Sequence, residues 1–133
     1  MRLTHLADYA VVLMTAAARR DSGERLSATE LAAETGVPLP TAQKLMGLLA
    51  NAGLLASMRG QRGGFSLNRD VADISLADIV EAVEGPFVMT MCADGVNHEC
   101  LLDAHCRVKP HMGIVGERVR GALGAVSLQE LAR

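Results

Sequence analysis

Aromatic residues are scarce in this chain of 133: Tyr9, Phe65 and Phe87 are the only ones, and tryptophan is absent. Because 50% of the residues are nevertheless hydrophobic, the core must be aliphatic, and a stacking platform for single-stranded nucleic acid is excluded. No apolar run reaches the roughly 18 residues that a bilayer span requires. The N-terminal stretch Met1-Arg2-Leu3-Thr4-His5-Leu6-Ala7-Asp8 lacks the basic-then-apolar order of a secretory leader. These absences predict a cytoplasmic protein with no membrane partner. Cysteine occurs only as Cys92, Cys100 and Cys106, within fifteen residues of one another. In a reducing compartment such a cluster argues for a metal or redox group rather than a disulfide framework. A catalytic set is missing too. A cysteine-dependent enzyme would place Cys92 or Cys106 beside His105 or His111, but no base-and-orienter arrangement, phosphate-cradling loop or carboxylate pair accompanies them.

Charge of one sign is missing from two long segments. Residues 35–69 hold four basic side chains, Lys44, Arg59, Arg62 and Arg69, and no acidic one, whereas residues 70–106 hold eight acidic side chains and no lysine or arginine. The net charge of −2 conceals this segregation. A basic face on an acidic protein is the footprint expected for phosphate contact, and the acidic remainder limits indiscriminate sticking.

Among the residues present, Leu3, Leu6, Ala10, Leu13, Met14 and Ala17 recur at helical spacing and predict a first helix ending near Arg19 and Arg20. Ser27-Ala28-Thr29-Glu30 reads as a capping box opening a short helix to Thr35, which Gly36 stops. After Val37-Pro38-Leu39-Pro40, residues 41–51 form a third helix, with Leu45, Leu48 and Leu49 on its core face. Two strand-like runs, 54–58 and 64–68, flank the tip Arg59-Gly60-Gln61-Arg62-Gly63 as in a β-hairpin. Ser75-Leu76-Ala77-Asp78 caps a fourth helix closed by Gly85-Pro86, and the cysteines follow on an irregular loop. Met112, Val115, Val119 and Leu123 then predict a last helix over 110–123, which carries an apolar stripe and three glycines. The expected fold is mainly α with a small β-hairpin: a winged helix-turn-helix domain over 1–85, a cysteine-bearing loop over 86–109, and a dimerisation helix with a tail over 110–133. The stripe calls for the same helix of a second subunit, giving a homodimer.

In a helix-turn-helix, the second helix presents its early side chains to the major groove. Thr41, Gln43 and Lys44 hold those places: Gln43 suits adenine, while Lys44 and the Thr41 hydroxyl suit phosphate or base acceptors. At the hairpin tip, beside Gln61, Arg59 and Arg62 suit the minor groove. Gly60, Gly63 and Gly64 let the backbone turn and approach phosphates closely. The expected partner is double-stranded operator DNA, read by a dimer as two half-sites about one or two helical turns apart. A DNA-free protein using the dimer helix alone is opposed by the wing.

Several stretches taken together resemble the Rrf2 family of bacterial winged helix-turn-helix regulators. They are Met1-Arg2-Leu3-Thr4 with Asp8-Tyr9-Ala10, Leu31-Ala32 with Gly36-Val37-Pro38, Ala52-Gly53-Leu54, and Arg59-Gly60 with Gly63-Gly64-Phe65-Ser66-Leu67. Leu39-Pro40-Thr41, Ile74-Ser75-Leu76-Ala77-Asp78-Ile79 and Glu84-Gly85-Pro86 resemble the branch that regulates the sulfur-mobilisation (SUF) operon for iron–sulfur cluster assembly. The resemblance implies a dimer in which Cys92, Cys100 and Cys106 hold an iron–sulfur cluster, [2Fe-2S] or [4Fe-4S]. It also implies cluster donor proteins as further partners and repression of assembly genes by the holoprotein when clusters are plentiful.

Three thiolates leave a fourth ligand open. His98, His105 and His111 are near in sequence; in relatives that sense nitric oxide an N-terminal aspartate of the other subunit completes the set, and Asp8 matches it. The spacing Cys-x7-Cys-x5-Cys is two residues longer in its first gap than the Cys-x5-Cys-x5-Cys of many relatives, which bears on cluster type. Zinc on three cysteines and a histidine is the competing site, yet no Cys-x2-Cys pair is present. Free redox-sensing thiols are a further alternative, although the acidic surroundings do not help a cysteine ionise. The rival signal for the same fold is nitric oxide or general redox stress.

Overall fold

The computed structural model describes residues 1–60, 63–94 and 100–133. It is mainly helical with one two-stranded hairpin: α1 (His5–Ala18), α2 (Ala28–Thr35), α3 (Leu39–Asn51), β1 (Leu55–Met58), β2 (Gly64–Leu67), α4 (Leu76–Glu84), α5 (Met112–Gly124) and α6 (Leu128–Leu131). Single turns of 3-10 helix lie at Val71–Asp73, Met91–Asp94, Asp103–His105 and Lys109–His111.

α1 starts where the Thr4 hydroxyl accepts from the Ala7 N–H at 3.1 Å, with Asp8 in its first turn complementing the helix dipole. Ala7, Ala10, Leu13, Met14, Ala16 and Ala17 are buried. With small residues on several faces, α1 is approached by α2, α3, α4 and α6 alike. α2 is capped by Ser27, whose hydroxyl accepts from the Glu30 N–H at 3.3 Å. The other half of the expected capping box is replaced by a different contact, since the Glu30 carboxylate lies 4.0 Å from Arg25. Gly36, left-handed at φ 82°, closes α2. α3 begins two residues before the expected start because Pro40 sits comfortably in its first turn. Its buried face is Ala42, Leu45, Met46 and Leu49; Leu48, expected in the core, is half-buried.

The hairpin is antiparallel, with Leu55 opposite Leu67 and Met58 opposite Gly64. A third segment joins it: Leu26 and Phe65 exchange backbone hydrogen bonds of 2.6 and 2.8 Å. α4 has the full reciprocal box, Ser75 hydroxyl to Asp78 N–H and Asp78 carboxylate to Ser75 N–H. α5 is offset by two residues from expectation because Pro110 falls in the preceding 3-10 turn.

The last turn was not anticipated. Ser127 and Glu130 form a second capping box around α6, and hydrogen bonds to the Ser127 backbone and side chain hold the Glu130 carboxyl below the usual carboxylate range. The Leu128 N–H bonds the Ile74 carbonyl at 2.7 Å and the Leu76 N–H bonds the Val126 carbonyl at 2.8 Å, so the tail pairs with the start of α4. Leu128 is fully buried in the same cluster as Leu13 and Ile79. Replacing it (Leu128→Ala) should cost about 2–5 kcal/mol of unfolding free energy by transfer and cavity terms. Urea denaturation reads this, and a loss near zero would mean that the tail does not belong to the core.

Candidate DNA-reading head and cysteine segment

The head is built by α2, the turn at Gly36, and α3. Val37, 5% exposed, pins the turn to the core, and the buried face of α3 leaves the opposite face free. Gln43 and Lys44 are exposed there and Thr41 is half-buried. No acidic side chain lies on α3, so this face offers amide, hydroxyl and ammonium groups to a polyanion. Arg59 and Gly60 are exposed at the hairpin tip. Gly60 has φ +109°, and its carbonyl accepts from the Gly63 N–H at 2.9 Å. Gln61 and Arg62 lie outside the described residues.

Gly64 reveals a reason for glycine that the sequence reading did not supply. A Cβ at that position would sit 2.6 Å from the Leu26 carbonyl oxygen and 3.2 Å from the Arg25 Cγ. What glycine admits here is the protein's own backbone. Arg25, not anticipated at all, donates from Nη1 to the Gly63 carbonyl at 2.6 Å. No periodicity flags such a residue, because its partner is a carbonyl 38 positions away.

The cysteine segment leaves α4 at Gly85. The Thr4 hydroxyl that caps α1 donates to the Glu84 carboxylate, which ties the start of α1 to the end of α4. The segment then passes under α5: Gly116 is buried, and a Cβ there would meet the Phe87 carbonyl oxygen at 2.5 Å. Cys92 is half-buried, its Sγ 3.0 Å from the Thr90 hydroxyl. Cys100 is exposed, Cys106 is half-buried, and all three are free thiols. His105 and His111 are exposed, each closing a 3-10 turn; His98 lies outside the described residues. Asp8 is exposed, and among the described residues its carboxylate has no hydrogen bond or ion pair.

Lys109 brings a cation from beyond Cys106 to the cysteine segment. Lys109 Nζ lies 2.6 Å from Asp103 Oδ1. The Asp103 hydrogen bond holds the ammonium above the usual lysine range, and the charges of Asp103, Cys92 and Cys100 add to it. Among the described residues, no three cysteine, histidine or carboxylate side chains converge to hold a metal ion. The donor chemistry, three free thiols on one segment, fits a thiolate-held group, while a single chain does not bring the set together.

An ion-pair chain joins α5 to the exit of the wing. Arg120 on α5 reaches Glu81 at 2.8 Å and Asp78 at 3.4 Å on α4, and Asp78 lies 3.6 Å from Arg69, just past β2. On the other side of α5, Ile114 is 54% and Val115 39% exposed. Val119 and Leu123 line an apolar groove with Leu3, Phe87 and Met89. Of the stripe expected of this helix, Val115, Val119 and Leu123 lie on this side with Ile114, while Met112 lines a separate cavity with Glu81 and Arg120.

A helix-turn-helix followed by a glycine-tipped hairpin defines a winged helix-turn-helix DNA-binding regulator. The chain belongs to the Rrf2 family, whose description is iron-dependent transcriptional regulator; the family match spans residues 3–133. It is 32% identical over 96 residues to the rrf2-like HTH-type transcriptional regulator of Rhodobacter capsulatus, a match covering 69% of this chain and 64% of that protein, less than two thirds of its length. It is 29% identical to the HTH-type transcriptional regulator IscR of Xenorhabdus nematophila over 133 residues, all of this chain and 80% of that one. The fold is similar to that of CymR, the global cysteine regulator of B. subtilis, at TM-score 0.72 and 23% identity, over 99% of this chain and 96% of the other. Family and neighbours are regulators rather than enzymes, which sets the cysteine-dependent enzyme aside. Among the described residues no helix is long and apolar enough to cross a membrane.

The close approach of α5 to Phe87 is testable with two glycines of the same helix. Gly116→Ala should destabilise by about 1–3 kcal/mol, because the clash is with backbone. Gly113→Ala, where a Cβ meets nothing within 4 Å, should be neutral or stabilise by up to about 1 kcal/mol. Thermal melts of the two variants compare them directly, and equal melting temperatures would remove the contact from the packing.

Proposed function

We propose that this protein is an iron–sulfur cluster-sensing repressor of SUF cluster-assembly genes that binds operator DNA as a homodimer. The observation that carries this reading is the position of three free thiols on the segment between α4 and α5, packed by its backbone against the helix that bears the open apolar stripe. Cys92, Cys100 and Cys106 are the proposed ligands, with Asp8 of the partner subunit as the fourth, ahead of His111 or His105. When bound, a [2Fe-2S] or [4Fe-4S] cluster supplies thiolate–iron bonds whose loss or damage is the signal.

The chain's own residues carry the response. Drawing the three sulfurs together repositions residues 86–109, and with them the Phe87 backbone under Gly116. α5 moves with that contact. Arg120 holds Glu81 and Asp78, and Asp78 holds Arg69 at the exit of the wing, so the displacement is shared with the reading head. Such a shift changes DNA affinity only by the difference in ligand affinity between the two arrangements. At the operator, Thr41, Gln43 and Lys44 face the major groove, and Arg59, Gly60, Gln61, Arg62, Gly63 and Gly64 form the wing contact. Cluster donor proteins would supply the group.

A second reading, a nitric oxide or redox sensor governing stress genes, is favoured by the exposed carboxylate of Asp8, which has no hydrogen bond or ion pair among the described residues. Neighbouring genes separate the two, since cluster-assembly genes alongside support iron supply and their absence favours the stress signal.

Protein purified without oxygen should be brown and contain iron and acid-labile sulfide in equal amounts, both lost in Cys92→Ser, Cys100→Ser or Cys106→Ser. A colourless protein with stoichiometric zinc would overturn the cluster. Arg59→Ala should weaken duplex binding across sequences and lower the salt slope by about 1. An unchanged slope in a filter-binding titration would take the wing off the DNA.

A further inference from the structure

Two four-residue strands are marginal on their own, yet the wing has to leave the body at one angle if its tip is to meet a groove while α3 occupies another. β1 follows α3 after the turn Ala52-Gly53-Leu54 and fixes one edge. The other edge is held by residues 25–26, where Leu26 and Phe65 exchange two backbone hydrogen bonds. This pair holds β2 at its second residue, opposite Ser57, and the chain on the tip side of it, from Gly63 outward, still needs a hold of its own.

Arg25 extends the hold to Gly63. Its guanidinium is cationic and planar, so one nitrogen can donate to a carbonyl while another faces a carboxylate. Here Nη1 donates to the Gly63 carbonyl at 2.6 Å, where the tip rejoins β2, and Nη2 lies 4.0 Å from Glu30 in the first turn of α2. One side chain thus spans the helix-turn-helix and the tip of the wing. Gly64 permits it, since a Cβ there would come within 3.2 Å of both Cγ and Nη1 of Arg25 and within 2.6 Å of the Leu26 carbonyl. A charge-assisted bond to a backbone carbonyl is short and directional, which suits a strut better than a mobile cation.

We propose that Arg25 is the positioning residue of the wing: it sets the direction of the tip relative to α3 without itself contacting DNA. This rests on the DNA-reading role proposed above, and two measurements keep the ideas separable. In the free protein, Arg25→Ala should speed tryptic cleavage after Arg59 at least about fivefold relative to cleavage after Arg107, as local opening becomes easier. An unchanged ratio overturns the strut whether or not any DNA is bound.

In duplex binding at fixed salt, Arg25→Ala should lower affinity about tenfold in the otherwise wild-type protein. In an Arg59→Ala background the further loss should be about twofold or less, because the strut acts through the tip. A role as an independent phosphate contact, or as a general stabiliser of the fold, would give losses that multiply, and that outcome overturns the proposal. Gly64→Ala attacks the same junction from the wing side and should reproduce both the faster cleavage and the non-additive loss. Wild-type affinity in Gly64→Ala would count against it. Should the wild-type protein bind no duplex, the DNA-reading function fails, while the cleavage ratio still decides the strut.

Discussion

The structure depends on the small side chains of α1. Ala7, Ala10, Ala16 and Ala17 are all at most 2% exposed, and alanine at a helix surface lets a neighbouring backbone come close. α2, α3, α4 and α6 each pack on this helix, so the recognition helix and the helix leading to the cysteines are held by the same support. Scarce aromatics follow from the same geometry. A helix crossed on several faces leaves little room for large rings, and Leu, Ile, Met and Val fill what remains. Among the described residues no polar or charged side chain is buried, so the core itself carries little directional information. Direction comes from backbone pairs at its margin, Leu26 with Phe65 and Ser75 with Ser127, together with the helix caps.

The cysteine segment has the opposite character. None of the described residues from 86 to 115 is buried, and the segment is carried by local 3-10 turns, a hydroxyl on Cys92 and an exposed Lys109–Asp103 pair. Exposed ion pairs contribute little to stability, so the free energy holding this arrangement is small beside that of the α1-centred core. The sensory role proposed for this segment needs that imbalance. A ligand's differential affinity of a few kcal/mol is enough to redistribute a weakly held segment and far too little to unfold the core.

Legibility from the sequence followed the range of the interactions. Helices marked by periodic apolar residues and by caps such as Ser27 and Ser75 appeared within one or two residues of their positions, because those signals are local. The hairpin was legible from its glycines. α6 was not: its four residues are too few to show a period, and its stability comes from Leu128 entering a distant core. The third segment of the wing, Leu26 against Phe65, is a backbone contact that leaves no trace in side-chain pattern. The cysteines were legible as donor chemistry, three thiols on one segment, but their spatial arrangement was not, since turns without periodicity carry no spatial information. Lys109 illustrates the gap. A stretch that reads as wholly acidic up to Cys106 acquires a cation because the chain bends back just after it.

Asp8 connects the two characters. It stands in the first turn of the support helix, where a carboxylate complements the dipole without needing any partner, and among the described residues it has none. Four residues before it, Thr4 both caps α1 and bonds Glu84 at the end of α4. On the proposed reading, a ligand set drawn from Asp8 of one subunit and the cysteines of the other spans the rigid support and the weakly held segment across the dimer. Loss of the group would then release the segment while leaving the packing of the recognition helix on α1 intact. The reading head would change in its spacing within the dimer and not in its internal structure, which is the change that distinguishes one pair of DNA half-sites from another.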